Sequence, residues 1–298
     1  MEFRNAKQAS YGSTLIETFF KSNDGEMLRI SRGTGFFTKI DTSVFLVTNW
    51  HVLTNRDPND PKKTLSQTIS PTHIQLHLAR TENPKHFVPM EYFPLYDEDG
   101  NPNWLEGAEG FGWADIALLS GIFPGDSICP LVEDFAPSKG TVLEPGIDVC
   151  LIGFPFGRNN TNPFPIWKKA MLASEPAYTI DGKPFAYLDT PGRPGMSGSP
   201  VYAISDAILV SDRTHAAMAA ANSGQVSALD VMKNLDTGEI FNLKNRTKGL
   251  EFMGIYSGSL GDQSLDRLNL GRFWASPVLE AIKNNPARGS NPFPPDFW

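Results

Sequence analysis

Short apolar runs broken by glycine, proline and polar turns make up most of this chain, a pattern that favours strands over helical packing. Leu28 to Ser31, Gly35 to Ile40 and Val44 to Val47 read as strands, with Asp41-Thr42-Ser43 as the turn into the last of them. His73-Ile74-Gln75-Leu76-His77-Leu78 alternates strictly. That period of two predicts a strand with Ile74, Leu76 and Leu78 buried and His73, Gln75 and His77 in water. A second series of strands opens at Val149-Cys150-Leu151-Ile152 and runs to about Trp274. Only near the end does a helical stripe show. Ser276 can cap it, Pro277 suits the first helical position, and Val278, Leu279, Ala281 and Ile282 supply the apolar face. The pattern predicts two all-β halves, residues 1–125 and 126–298, joined by a linker over 121–146 and ended by a helix and a loosely packed tail from Gly289. A chain of 298 residues suits two such units.

Candidate chemistry changes the picture at three places. Gly195-Met196-Ser197-Gly198-Ser199-Pro200 brackets a serine with glycines, which let the backbone fold tightly around Ser197. Such a loop can aim the Gly195 and Ser197 amides at one point, where an oxyanion would form. A serine hydroxyl is a poor nucleophile at neutral pH and needs a base. His51, just after the apolar run Val44 to Val47, can take its proton. Asp115, inside Ala114-Asp115-Ile116-Ala117-Leu118-Leu119, can orient that imidazole. A carboxylate in an apolar strand is costly unless paired, so each reading strengthens the other. Taken singly, Ser197 is a turn serine and His51 a strand-end residue. Together they predict acyl transfer, in the chain order His, Asp, Ser.

Gly33-Thr34-Gly35-Phe36-Phe37, Thr48-Asn49-Trp50-His51-Val52, Asp115-Ile116-Ala117-Leu118-Leu119, Gly195 to Pro200 and Gly254-Ile255-Tyr256-Ser257-Gly258 follow one another in order. With the weaker Ile152-Gly153-Phe154-Pro155-Phe156-Gly157, they resemble a chymotrypsin-fold serine peptidase of the bacterial trypsin-like branch, similar to the HtrA and glutamyl endopeptidase groups. The resemblance spans roughly residues 26 to 283. It implies two packed six-stranded antiparallel β-barrels with a C-terminal helix, and a catalytic set of His51, Asp115 and Ser197. It further implies an oxyanion hole at Gly195 and Ser197, and a Ser257 hydroxyl bonded to the triad aspartate. Substrate would lie along Pro191, Gly192, Arg193, Tyr256, Ser257, Gly258 and Ser259, with residues 257–259 pairing to it as an added strand. No cofactor is implied. Met196 departs from the family, whose digestive members carry there an aspartate that pairs with a freshly cut N-terminus. The loop is then either formed from the start or ordered by something else. Pro191 stands where a trypsin-like acid would select Lys or Arg, and Tyr256 where the glutamyl endopeptidases have histidine. The expected preference is therefore a small or apolar residue at the cleaved position.

Composition narrows the function further. A net charge of −7 without a basic stripe speaks against nucleic acid. No apolar run approaches the ~18 residues of a spanning helix, and Met1 to Gln8 has no signal-peptide core, so the expected compartment is the cytoplasm. There Cys129 and Cys150 are read as unpaired small hydrophobes. Lys62-Lys63 and Lys168-Lys169 read as solvated surface charges. No metal is expected, because His73 and His77 belong to the wet face of a strand and neither His86 nor His215 has ligands around it. The segment 203–253 is longer than the hairpin expected there; it reads first as a surface elaboration and second as a regulatory or substrate-gating loop, and a regulatory protein partner is a further expectation. The rival readings are a peptide-binding module that does not cleave and an esterase on the same three residues.

Overall fold

The structure is a computed structural model that describes residues 6–108, 114–122, 125–135, 143–157, 164–208, 227, 246–259 and 263–295. Helix α1 (Ala6–Tyr11) leads into β1 (Ser13–Lys21), β2 (Met27–Ile40) and β3 (Ser43–Thr48). One turn of helix, α2 (Trp50–Thr54), follows, and then β4 (Arg56–Asp57) and β5 (Asp60–Thr64) pair as a small hairpin. The half is completed by β6 (His73–Ala79), β7 (Phe87–Pro89), β8 (Phe93–Pro94), β9 (Trp104–Gly107) and β10 (Ala117–Leu119).

The second half holds β11 (Asp148–Gly153), β12 (Ile166–Leu172), β13 (Phe185–Asp189), β14 (Pro200–Ile208) and β15 (Arg246–Gly258). After α3 (Gln263–Arg267) come β16 (Leu270–Ala275), α4 (Ser276–Asn284) and β17 (Pro286–Arg288). Strands β11 to β16 close a six-stranded barrel in the order β11-β12-β13-β16-β15-β14. The first half differs from the second barrel expected. It is a nine-stranded sheet whose path β17-β9-β10-β3-β2-β1-β6-β7 stays open among the described residues, with β8 added beside β6. The chain is all-β in architecture, with the expected C-terminal helix in place.

Apolar clusters within each half and between them hold this together. Ile16, Phe37, Leu46, Trp50, Ile74 and Leu76 fill the first half. Val149, Leu151, Leu188, Met196, Val201 and Phe273 fill the barrel. Between them Phe36, Val47, Ile116 and Leu118 meet Ile255, Trp274, Val278, Leu279 and Ile282, so α4 is part of the wall joining the halves. Each such buried side chain contributes roughly 1.5–3 kcal/mol. No described helix is long and apolar enough to cross a membrane.

The ends of the chain depart from the predicted division. β17 pairs with β9, which returns the last residues to the first half. Beyond it the Ser290 carbonyl accepts from Trp50 Nε1 at 2.8 Å, Ser290 N–H donates to Glu106 Oε1 at 2.9 Å, and Asn291 Nδ2 donates to Tyr96 at 2.8 Å. The segment expected as a loose tail is a strap. At the other end Ala9 packs with Cys150, Ile152 and Tyr202 of the barrel, and Ser10 Oγ accepts from Trp167 Nε1 at 2.8 Å.

β6 alternates as its sequence predicts, but its wet face is not wet. His77 Nε2 lies 2.9 Å from Glu17 Oε2, and His73 Nδ1 lies 2.9 Å from Thr72 Oγ1. Glu17 is buried and also accepts from Arg29 and Arg32. Burial pushes its carboxyl up, yet the bonds from His77 and Arg32 outweigh that and hold it at about 2. Cys129 and Cys150 are both free. Burial pushes the Cys150 thiol up to about 12, which keeps it protonated and inert.

Candidate active site

His51 sits on α2, not at the end of a strand. β3 stops at Thr48, Asn49 keeps an extended backbone ahead of the helix, and Asn55 ends the turn in the left-handed region (φ 56) with its N–H on the His51 carbonyl. Every residue of α2 is buried. Asp115 is fully buried as well, but it lies in a bend just before β10 rather than within the strand. Its Oδ2 is 2.7 Å from His51 Nδ1, and its Oδ1 accepts the His51 backbone N–H at 2.9 Å. Two bonds to one residue fix both the ring and the carboxylate, and leave Nε2 as the ring nitrogen not engaged by Asp115.

The hydroxyl expected on that carboxylate is elsewhere. Ser257 Oγ accepts from Asn49 Nδ2 at 3.1 Å, and the same Nδ2 donates to the Asp115 carbonyl at 2.7 Å. Among the described residues no hydrogen bond joins Ser257 to the Asp115 carboxylate. The short α2 brings Asn49 between the two, so Ser257 supports Asp115 through the Asn49 amide.

The nucleophile loop is held from three sides. Gly195 (φ 91) and Gly198 (φ 84) adopt backbone that a side chain would strain. A Cβ at Gly198 would also strike the Thr34 carbonyl. Thr34 donates its backbone N–H to Ser197 O at 2.8 Å and its Oγ1 to Gly195 O at 2.7 Å, while Oγ1 accepts from Phe154 N–H at 3.1 Å. Phe156 N–H donates to Pro194 O at 2.6 Å. Because the Pro194–Gly195 peptide is trans, that grip turns the Gly195 N–H away from Phe156. Neither the Gly195 nor the Ser197 N–H has an acceptor among the described residues, as an oxyanion site requires. Phe156 itself holds φ 60, an uncommon angle for a residue with a side chain.

Met196 answers what orders the loop. It is 1% exposed, inside the barrel core beside Val149, Leu188 and Phe273. An apolar plug thus anchors the loop to the barrel interior.

Ser197 and His51 line one cavity of about 460 Å³, and no hydrogen bond joins their side chains. Catalytic bonds commonly tighten only when substrate enters. On the far side of Ser197, Gly192 faces Ser259 and the Tyr256 hydroxyl, while the Tyr256 ring lies fully buried against Gly271. Tyr256 therefore fills the space between Gly192 and Gly271. Gly258 is buried in the left-handed region (φ 71), and β15 shifts register there against β16, so residues 257–259 are not a regular strand edge. Arg193 is exposed and donates to the Gly192 carbonyl at 3.1 Å instead of entering the site. Pro191 accepts from Lys168 Nζ. Lys168 is thus no free surface charge, and burial together with Arg193 lowers its pKa. Its neighbour Lys169 is exposed, on Asp148 at 2.8 Å, and Lys62 and Lys63 are exposed as well.

Sequence reading missed Thr34, Asn49, Phe156 and Lys168. Thr34 was legible only as the residue between two glycines. A Cβ at Gly35 would lie 2.8 Å from Ile16 and Leu46 side-chain carbons, and one at Gly33 would be 2.6 Å from Val52. Most of the long 203–253 segment, including Ala216 to Ala221 and Asp236-Thr237-Gly238, lies outside the described residues. Its flanks extend β14 and β15 as a hairpin from Ile208↔Arg246 to Pro200↔Ile255.

The trypsin-like peptidase domain family matches this chain over residues 33–210. That span holds His51, Asp115 and Ser197, and the match is to the family rather than to a branch such as HtrA. No curated protein matches the chain.

Proposed function

This chain belongs to the trypsin-like peptidase domain family, and from that premise we propose that it is a serine endopeptidase cleaving protein substrates through Ser197, His51 and Asp115. Ser197 Oγ attacks the peptide carbonyl as His51 Nε2 takes its proton, and the Gly195 and Ser197 amides receive the oxyanion. His51 then gives the proton to the leaving amine, and water releases the acyl group from Ser197 by the same steps in reverse. Asp115 holds the imidazole in the tautomer that this requires. The observation that carries the reading is the two-bond grip of Asp115 on His51, at 2.7 and 2.9 Å, in a cavity shared with Ser197.

Tyr256 in the space behind Gly192 supports a small residue at the cleaved position. Two free thiols, Cys129 and Cys150, support a reducing, cytoplasmic setting. A peptidase there needs restraint, and we assign that to a partner or to the 203–253 segment, which continues directly from the nucleophile strand. The test is intact-mass spectrometry after fluorophosphonate treatment, beside Ser197→Ala. One adduct, absent from the variant, is expected. Absence of an adduct from the unsubstituted chain would overturn the proposal and leave a peptide-binding module.

A further inference from the structure

The cavity that holds Ser197 and His51 extends away from β15. None of residues 191–193 or 256–259 lines it, and its outer wall is β2, with Arg29 and Arg32. His51 must pass its proton to the leaving amine, so the chain that follows the cleaved bond crosses on the His51 side, into this cavity. Apart from His51, the two arginines are the charged residues lining it, and no carboxylate does so among the described residues.

Behind the wall, Glu17 Oε1 takes Arg29 at 3.0 Å and Arg32 at 2.9 Å, and its other oxygen is bonded to His77. Among the described residues, the single carboxylate Glu17 holds both guanidinium groups at the cavity wall. Arg32 packs its stem under Gly157 and is held in place. Arg29 keeps 46% of its side chain exposed and has one of its five donors on Glu17. Glu17 and β2 thus pre-position a planar fork suited to an incoming carboxylate. Leu65 and Ile30 give the same cavity apolar walls, which strengthen such a contact.

We propose that Arg29 and Arg32 form a subsite for a carboxylate carried on the leaving-group half of the substrate, within a few residues after the cleaved bond. This rests on the peptidase reading of Ser197. The carboxylate is an Asp or Glu side chain or the end of a peptide chain, and the experiment separates the two.

Fluorescent peptides sharing a small residue at the cleaved position, followed by Ala-Ala-amide, Ala-Glu-amide, Ala-Lys-amide or Ala-Ala free acid, are titrated by anisotropy into full-length Ser197→Ala. Their cleavage is measured with the unsubstituted chain. A carboxylate peptide is expected to bind about tenfold more tightly than the lysine peptide, as for one charge-assisted contact. The advantage should fall below twofold when Arg29→Gln is added. Gain with Glu alone assigns a side-chain carboxylate, and gain with the free acid alone assigns a chain end. Equal binding of all four peptides overturns the subsite, as does a preference that survives both Arg29→Gln and Arg32→Gln. Cleavage without charge preference sinks the subsite and spares the peptidase. Charge-selective binding without cleavage or acylation does the reverse. No binding and no cleavage of any peptide overturns both.

Discussion

Thr34→Val tests whether the oxyanion loop is held by the first half of the molecule. The hydroxyl removed is fully buried and has two partners, the Gly195 carbonyl at 2.7 Å and the Phe154 N–H at 3.1 Å. Valine matches threonine in shape but puts a methyl where the oxygen was. A methyl needs about 3.3 Å or more from a carbonyl oxygen, so Gly195 must retreat by roughly half an ångström. Its N–H, one of the two oxyanion donors, moves with it. Loss of one such donor costs about 10²–10³ in rate, and a misplacement of about 1 Å costs about 10². Half that displacement predicts an acylation rate lowered about 10- to 100-fold. Two buried backbone groups lose their partner, each worth about 1–3 kcal/mol, so the variant should also unfold more readily. The assay is the fluorophosphonate acylation rate at a temperature where both proteins are folded, with Thr34→Ser alongside. Serine restores the hydroxyl and should recover most of the rate. Acylation of the valine variant within threefold of the parent would refute the argument that Thr34 positions Gly195.

Met196→Ala empties part of the barrel core and should lower stability by about 2–4 kcal/mol, read by chemical denaturation, with slower acylation. Tyr256→Ala should open the space behind Gly192 and raise relative cleavage after large apolar residues about tenfold or more, as peptide-library profiling would show. Glu17 titrates near 2 in the folded chain against an ordinary value of 4.5. Its folded pKa is depressed, so its contribution is present above pH 4.5 and lost as pH falls toward 2. About 3 kcal/mol should disappear across that window in acid unfolding titrations, and Glu17→Gln should remove that dependence.

What could be read beforehand was what chemistry or periodicity dictates locally. The alternation of His73 to Leu78 gave β6, and the cost of an unpaired carboxylate at Asp115 called for His51. What could not be read depends on groups far along the chain. The Asp115 bend looks like strand in sequence, because Ile116 to Leu119 are apolar and the Asn49 amide that donates to the Asp115 carbonyl lies 66 residues earlier. His77 looked solvated because Glu17 lies 60 residues earlier in the chain. Pro286 hides β17, since a proline at a strand's first residue reads as loop although the ladder tolerates it there.

The strap formed by residues 286–291 bears on the order in which the two halves fold. Trp50, beside His51, is bonded to the carbonyl of Ser290, and the outer edge of the first sheet is β17. At the opposite end α1 rests on the barrel built from residues after 148. Domains generally fold from the N-terminus as they are synthesised, yet here the first half lacks β17 until residues 286–290, which follow the barrel, have emerged. The turn that carries His51 is therefore completed only after the whole barrel has been synthesised, so each half of the molecule finishes folding on chain that adjoins the other.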